Sequence, residues 1–532
     1  MPTPAWLGRV PRLGFSLAAG LLVLAPTAAD PALPKLSLVV VFTVDQFRGD
    51  YPARFGDQWT GGLARLTHDG IVFPNAMQDH AVTETAPGHS TILSGRDPAH
   101  TGIVTNTLGV IDRSSPLLEV SGLGASPARF VGTALYDWMH TADPEAKVLS
   151  VSRKDRGAIL PVGRAKAPVF WYQSGLFTTS RYYADTLPPW VEAYNARPWA
   201  AALAGKPWTP LLPDSDYPEP DSMGYENGGH DVTFPHRFPG TPDSVAAFLP
   251  SYPWMDSLTL DFALEGVRQL GLGRRSRPDL LAISLSATDY VGHAFGPDSR
   301  ELHDQVVRLD RWLGGFLDSL DRLVPRSRTL FVLTGDHGVT SFPELAVAQG
   351  RKGGRVGVDS LLQALAGGLQ ARANNFFELR QEAGLFSADV AAMAKAGINV
   401  DSVSDALAQS LARLPGVTKV FTPKSLKKAP ASDLDAARWR RSLPENFGWL
   451  VCASVAPGYI WTGEGGWTTH GTTNPDDASV PIIFMGPGIH PAIYPTAART
   501  VDIAPTLAAL LGLEPSQKLD GRVLTEVVGK QH

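Results

Sequence analysis

Residues 329–338 read Thr-Leu-Phe-Val-Leu-Thr-Gly-Asp-His-Gly. The first five form a short apolar run, the length of a buried strand rather than of a helix. The run opens into Gly335-Asp336-His337-Gly338, where flanking glycines permit a tight turn. On an extended segment the side chains of Asp336 and His337 would diverge. At such a turn both can converge, and a carboxylate beside an imidazole is a metal-ligand pairing.

The same figure recurs along the chain. Leu36–Val44 (LSLVVVFTV) ends at Asp45, and Asp279–Leu285 (DLLAISL) ends shortly before Asp289, with His293 four residues further on. Lys147–Val151 and Val480–Phe484 read as further strands. Between them lie helical signatures at Gly61–His68, at Val501–Leu511, and in the stripe Leu302, Val306, Leu309, Leu313, Phe316 and Leu320. Strands alternating with helices predict an α/β fold with a mainly parallel central sheet flanked by helices. Such sheets bind ligands outside the carboxyl ends of their strands, which gathers Asp45, Asp289 and Asp336 at one edge. His470, in Thr468-Thr469-His470-Gly471-Thr472, completes a set of carboxylates and imidazoles. That donor set suits Zn²⁺ well, and Mn²⁺ or Fe²⁺ less distinctively.

Two long segments interrupt the pattern, at about 160–278 and 345–460. The first is rich in proline, glycine and aromatics, among them Trp190, Trp199, Trp208, Tyr217 and Tyr225. It is too long for a plain loop. The second has helical stretches and a charged segment at Lys424–Arg441, with little that looks catalytic. Residues 30–532 are therefore expected to form one catalytic domain, with both insertions capping the active site.

Over the whole 532-residue chain, 44% hydrophobic and 19% charged residues fit a soluble globular protein. The start differs. Arg9 and Arg12 precede the apolar stretch Leu13–Ala25, and Thr27-Ala28-Ala29 offers small residues for cleavage. Residues 1–29 read as a signal peptide, which predicts a periplasmic or secreted protein without stable membrane insertion after cleavage. Losing two arginines takes the net charge from −5 to −7, no signature of nucleic-acid or anionic-membrane binding. The single cysteine, Cys452, excludes an intramolecular disulfide and reads as a small buried hydrophobe.

Thr83–Leu93 contains Thr-Ala-Pro-Gly, a helix N-terminus with Pro87 in the first turn. Thr85 is a candidate nucleophile, since a hydroxyl becomes effective when a metal or base activates it. A helix N-terminus also offers N–H groups and a favourable dipole to an anion. Thr83 is the rival hydroxyl. In Ser152-Arg153-Lys154-Asp155-Arg156, Lys154 and Arg156 are two apart at a strand end and can point the same way. Two cations beside a metal pair match the dianionic phosphoryl group of a monoester better than a diester.

Thr83-Glu84-Thr85-Ala86-Pro87-Gly88-His89, Thr91-Ile92-Leu93-Ser94-Gly95 and Gly102-Ile103-Val104-Thr105-Asn106 together resemble the alkaline phosphatase superfamily. Asp289-Tyr290-Val291-Gly292-His293, Gly335-Asp336-His337-Gly338, His470-Gly471 and Val501-Asp502-Ile503-Ala504-Pro505-Thr506 follow in the order expected of it. The resemblance is strongest to the branch holding nucleotide pyrophosphatase/phosphodiesterases and the threonine-nucleophile alkaline phosphatases of the PafA type. It spans about residues 36–160, 279–340 and 465–525, and leaves the insertions unmatched. It selects Thr85 over Thr83. It implies two Zn²⁺ per chain, one held by Asp289, His293 and His470, the other by Asp45, Asp336 and His337 with Thr85 bound. It also implies that Lys154, Arg156 and Asn106 contact the phosphoryl group. The expected activity is an alkaline phosphatase that releases phosphate from a broad range of small-molecule phosphomonoesters through a phosphothreonine. The alternatives are a phosphodiesterase or nucleotide pyrophosphatase using the same site, and a non-catalytic zinc- or phosphate-binding protein. A sulfatase is disfavoured because Cys452 lacks a Cys/Ser-x-Pro-x-Arg setting. The sequence leaves the oligomeric state open and is compatible with a monomer.

Overall fold

Nine strands form the central sheet in a computed structural model that describes residues 35–461 and 467–529. The signal peptide expected at 1–29 lies outside the described residues. In chain order the strands are β1 (Leu38–Val44), β2 (Ile71–Phe73), β3 (Val148–Ser152), β4 (Val169–Gln173), β5 (Leu176–Thr178), β6 (Asp279–Leu285), β7 (Thr329–Gly335), β8 (Ile482–Met485) and β9 (Ala492–Ile493). Across the sheet they run β9-β2-β8-β7-β1-β6-β3-β4-β5. The five from β7 to β4 are parallel, while β8 and β5 run antiparallel to β7 and β4. The fold is therefore α/β with a mixed, mostly parallel sheet.

Both faces of the central strands are covered, so β1, β6 and β7 are buried along their whole length and read as unbroken apolar runs. Phe42 shows the packing on one face. Its ring stacks on Phe331 at 6.5 Å and meets Phe316 of the helix Arg300–Asp321 edge-on at 5.8 Å. On the other face Val39 and Val41 join Ile503, Ala504 and Leu507 of the helix Ile503–Leu511. Phe42→Ala is expected to cost about 3–5 kcal/mol of unfolding free energy, measured by denaturant titration. A loss below ~1 kcal/mol would mean that this layer repacks freely.

Register places the site. Val44 pairs with both Gly335 and Leu285, so Asp45, Asp336 and Ser286 leave the sheet at one level. Ser152, the last residue of β3, pairs with Ser284 one position lower. Four strand ends thus converge at one edge.

The first insertion, expected at about 160–278, begins with sheet. β4 and β5 close the edge of the sheet, their aromatic residues hidden in a proline-rich context. Beyond them the chain packs on the helix Arg300–Asp321. There Asp304 accepts hydrogen bonds from Trp208 Nε1 (2.6 Å), Tyr217 Oη (2.8 Å) and the Leu211 N–H (2.6 Å). The second insertion carries its own antiparallel sheet in the order Arg380–Glu382, Leu385–Ser387, Trp449–Val455, Val417–Phe421. Its apolar core includes Phe386, Met393, Leu407 and Val451. Cys452 is fully buried on the long strand of this sheet, as a small hydrophobe would be.

Candidate active site

Asp45 and Asp336 follow β1 and β7 directly, while Asp289 and His293 stand one turn apart on the helix Ala287–Phe295 after β6. Thr85 opens the helix Thr85–Ile92. This helix lies tight against the β7 turn at Gly88, where a Cβ would come within 2.2 Å of the Asp336 carbonyl oxygen. Only glycine lets the Thr85 helix approach the carboxylates this closely.

Three imidazoles share one orientation. His293 Nδ1–H donates to Thr468 O (2.8 Å), His470 Nδ1–H to Thr83 O (2.8 Å), and His337 Nδ1–H to Gly338 O (2.9 Å). Each backbone carbonyl fixes the tautomer, which leaves every Nε2 lone pair free to bind a cation. Burial pushes the His337 imidazole down to about 3 and lowers His470 as well, so both remain neutral acceptors. His293 is also desolvated, but Asp289 raises it above its ordinary value.

The Nε2 atoms turn toward carboxylates. His293 and His470 approach Asp289 Oδ1 at 3.2 and 3.6 Å, while His337 lies 3.4 Å from Asp45 Oδ1 and 3.6 Å from Asp336 Oδ2. Asp289, His293 and His470 form one cluster, and Asp45, Asp289 and His337 another, each with its ligand atoms within 4.8 Å of one another. Asp289 therefore spans the two halves, and Asp336 borders the second. Asp336 Oδ2 and both oxygens of Asp45 are buried without a well-aligned hydrogen-bond donor. Lys154 Nζ lies 2.6 Å from Asp45 Oδ2 but out of line. Buried carboxylate oxygens left in this state are costly unless a cation meets them, so the donor set fits divalent metal. Burial raises the Asp45 carboxyl well above the usual range, with Asp289 and Asp336 adding repulsion. Against the same burial, Lys154 and His293 hold Asp289 well below it.

Thr85 Oγ1 sits 3.2 Å from Lys154 Nζ and 3.4 Å from His337 Nε2, inside this group. The rival Thr83 spends its hydroxyl on Thr472 O (2.8 Å) and its carbonyl on His470. The helix start offers fewer free N–H groups than its sequence promised. The Ala86 N–H donates to Asn106 Oδ1 at 2.8 Å, and Pro87 has no N–H. That contact turns the Asn106 NH₂ into the outward donor.

Lys154 and Arg156 are placed by a strand-to-helix turn, not by strand alternation. β3 ends at Ser152, Lys154 is the N-cap of the helix Asp155–Ile159, and Arg156 sits in its first turn. Lys154 Nζ also donates to Asp289 Oδ2 at 2.6 Å. Arg156 lies close enough to feel the charges of Asp45 and Asp289, and its Nε is buried without a partner. Arg153, the residue before Lys154, stacks over Tyr290 at 4.9 Å.

Sequence reasoning passed over three supports. Gln46 holds a left-handed backbone (φ 63°); its N–H donates to Asp336 Oδ1 (3.1 Å) and its Nε2 to Asp289 Oδ1 (3.0 Å). His89 Nδ1–H donates to Thr85 O (2.9 Å), passing 3.1 Å from Asp336 Oδ2, and Ser284 Oγ–H donates to its Nε2 (2.9 Å). Glu84 accepts from the Asn106 N–H at 2.8 Å. A positive-φ residue after a strand is invisible in composition, whereas His89 lay inside a motif already in view.

Strand ends that carry paired carboxylate and imidazole donors around a buried hydroxyl, flanked by two cations, define a phosphoryl-transfer hydrolase of the alkaline phosphatase type. The chain belongs to the type I phosphodiesterase/nucleotide pyrophosphatase family, whose model matches residues 39–476. It is 32% identical to the alkaline phosphatase PhoV of Synechococcus elongatus, over 94% of this chain and 95% of that protein. It is 29% identical to the alkaline phosphatase PafA of Elizabethkingia meningoseptica, over 97% and 98%. The crystal structure of wild-type PafA superposes with a TM-score of 0.85 at 28% identity, covering 94% of this chain and all of that one. The chain is a phosphoric ester hydrolase, and its relatives support a phosphomonoesterase.

Proposed function

We propose that this chain is an exported, two-zinc alkaline phosphatase that hydrolyses a broad range of small phosphomonoesters through a phosphothreonine on Thr85. The observation that carries the reading is the turn after β3, which brings Lys154 to 3.2 Å from Thr85 Oγ1 and places Arg156 in the first turn of the helix that follows. Asp289, His293 and His470 would hold one Zn²⁺, and Asp45, Asp336 and His337, with Thr85, the other. When bound, the pair supplies charge stabilisation for the attacking and leaving oxygens of an in-line displacement.

The chain's own groups do the rest. Thr85 Oγ1 forms the new bond to phosphorus as the alcohol leaves, and water then releases inorganic phosphate and restores the hydroxyl. Lys154, Arg156 and the Asn106 amide hold the non-bridging oxygens, since phosphoryl transfer asks mainly for positioning and charge. A monoester presents one more negative charge than a diester, and two extra cations favour it. Export rests on the leader-like residues 1–29.

Nitrophenyl phosphate and bis(nitrophenyl) phosphate separate this reading from a phosphodiesterase, and a higher kcat/KM on the diester would overturn it. Lys154→Ala is expected to lower kcat/KM for the monoester about 10²-fold, as loss of one oxyanion donor does. The diester should lose far less. Equal losses on both substrates would refute the charge-matching argument.

A further inference from the structure

The second insertion approaches the phosphoryl site through the hairpin formed by Arg380–Glu382 and Leu385–Ser387. Its tip lies against the His470 loop, where a Cβ on Gly471 would approach Ala383 Cβ at 2.9 Å and Glu84 Cγ at 3.8 Å. Next to that tip, Glu382 Oε1 accepts the backbone N–H of Thr107 at 3.0 Å. Glu84, immediately before the nucleophile, accepts the backbone N–H of Asn106 at 2.8 Å. The two carboxyl groups lie within hydrogen-bonding reach of each other. Consecutive amides of one loop are thus held by two acidic side chains from separate parts of the chain. The loop is otherwise exposed at Thr107 and carries the Asn106 side chain, itself tied to the Thr85 helix through Ala86.

We infer that Glu382 is a positioning residue for phosphoryl binding, acting through the Thr107 amide to hold Asn106 in donor geometry. This gives the second insertion a part in catalysis: it clamps the Asn106 loop against the nucleophile helix. The inference rests on the reading of Asn106 as a phosphoryl-oxygen donor. A carboxylate acceptor on an exposed loop amide adds little to global stability but fixes orientation. Misplacement by about an ångström can cost up to ~10²-fold in rate.

The test is a double-mutant cycle on nitrophenyl phosphate with the metal-loaded full chain. Asn106→Ala must first lower kcat/KM; if it does not, the reading of Asn106 fails, independently of Glu382. Glu382→Ala is then expected to lower kcat/KM roughly tenfold or more, with metal content and Tm unchanged. In the Asn106→Ala background the same change should cost less than about twofold. Glu382→Gln, whose amide oxygen can still accept from Thr107, should recover most of the activity. Additive losses, a Gln variant as poor as Ala, or an Ala variant as active as the parent would each overturn the role of Glu382.

Discussion

Thr85→Ala should abolish turnover while leaving the protein folded and its metal bound. The hydroxyl is the only part of this buried side chain, 1% exposed, that reaches Lys154 and His337. Removing it takes away the atom proposed to bond to phosphorus. It leaves Lys154 paired with Asp45 and Asp289, and all three imidazoles on their backbone carbonyls. Loss of a hydrolase nucleophile costs up to ~10⁶-fold, so a fall of at least about 10³-fold in kcat is expected. Thr85→Ser, which keeps the oxygen, should retain measurable activity and should trap radiolabelled phosphate on the protein in an acid quench. Thr85→Ala should trap none. Label on the alanine variant, or undiminished turnover, would move the nucleophile elsewhere. Thr83 would not be the next choice, because its hydroxyl is committed to Thr472 O.

Much of this site was legible before any coordinates, for a physical reason. Asp45 and Asp336 each follow a parallel strand that is buried on both faces, and two-sided burial leaves an unbroken apolar run in the sequence. The i, i+4 pair Asp289 and His293 could be placed on one side of a turn because helical geometry is local. Lys154 and Arg156 stand at a strand-to-helix turn rather than on the extended segment their spacing suggested. What escaped was non-local. Gln46 reaches Asp289 across 243 positions and Asp336 across 290, and only the folded sheet brings those residues together. Glu382 was hidden more deeply still, in a segment whose sequence showed little that looked catalytic. Its short strand pairs with a neighbour only three residues long, too brief for periodicity to register. The antiparallel course of β8 is equally silent, since direction leaves no mark on a four-residue apolar run.

Asp289→Asn is expected to be the most damaging change among the carboxylates. Among the described residues Asp289 alone belongs to both ligand clusters, with Oδ1 facing His293 and His470 and Oδ2 facing Lys154. Replacing it by an amide removes a negative charge from the centre of the site. It also sets an NH₂ against either the Lys154 ammonium or the approach to His293 and His470. Partners outside the ligand sphere cost about 10–100-fold in metal affinity when removed, and loss of a direct ligand should exceed that. Elemental analysis should therefore find one equivalent of zinc or fewer in the purified variant against the two expected of the parent. Activity should fall at least as far as in Thr85→Ala. Chelation followed by added zinc should restore the parent and not the variant. The fold should survive, because Asp45 still meets Lys154 and Gln46 still donates its N–H to Asp336. A variant that kept two equivalents of zinc and the parent's turnover would show that Asp289 neutralises Lys154 and nothing more.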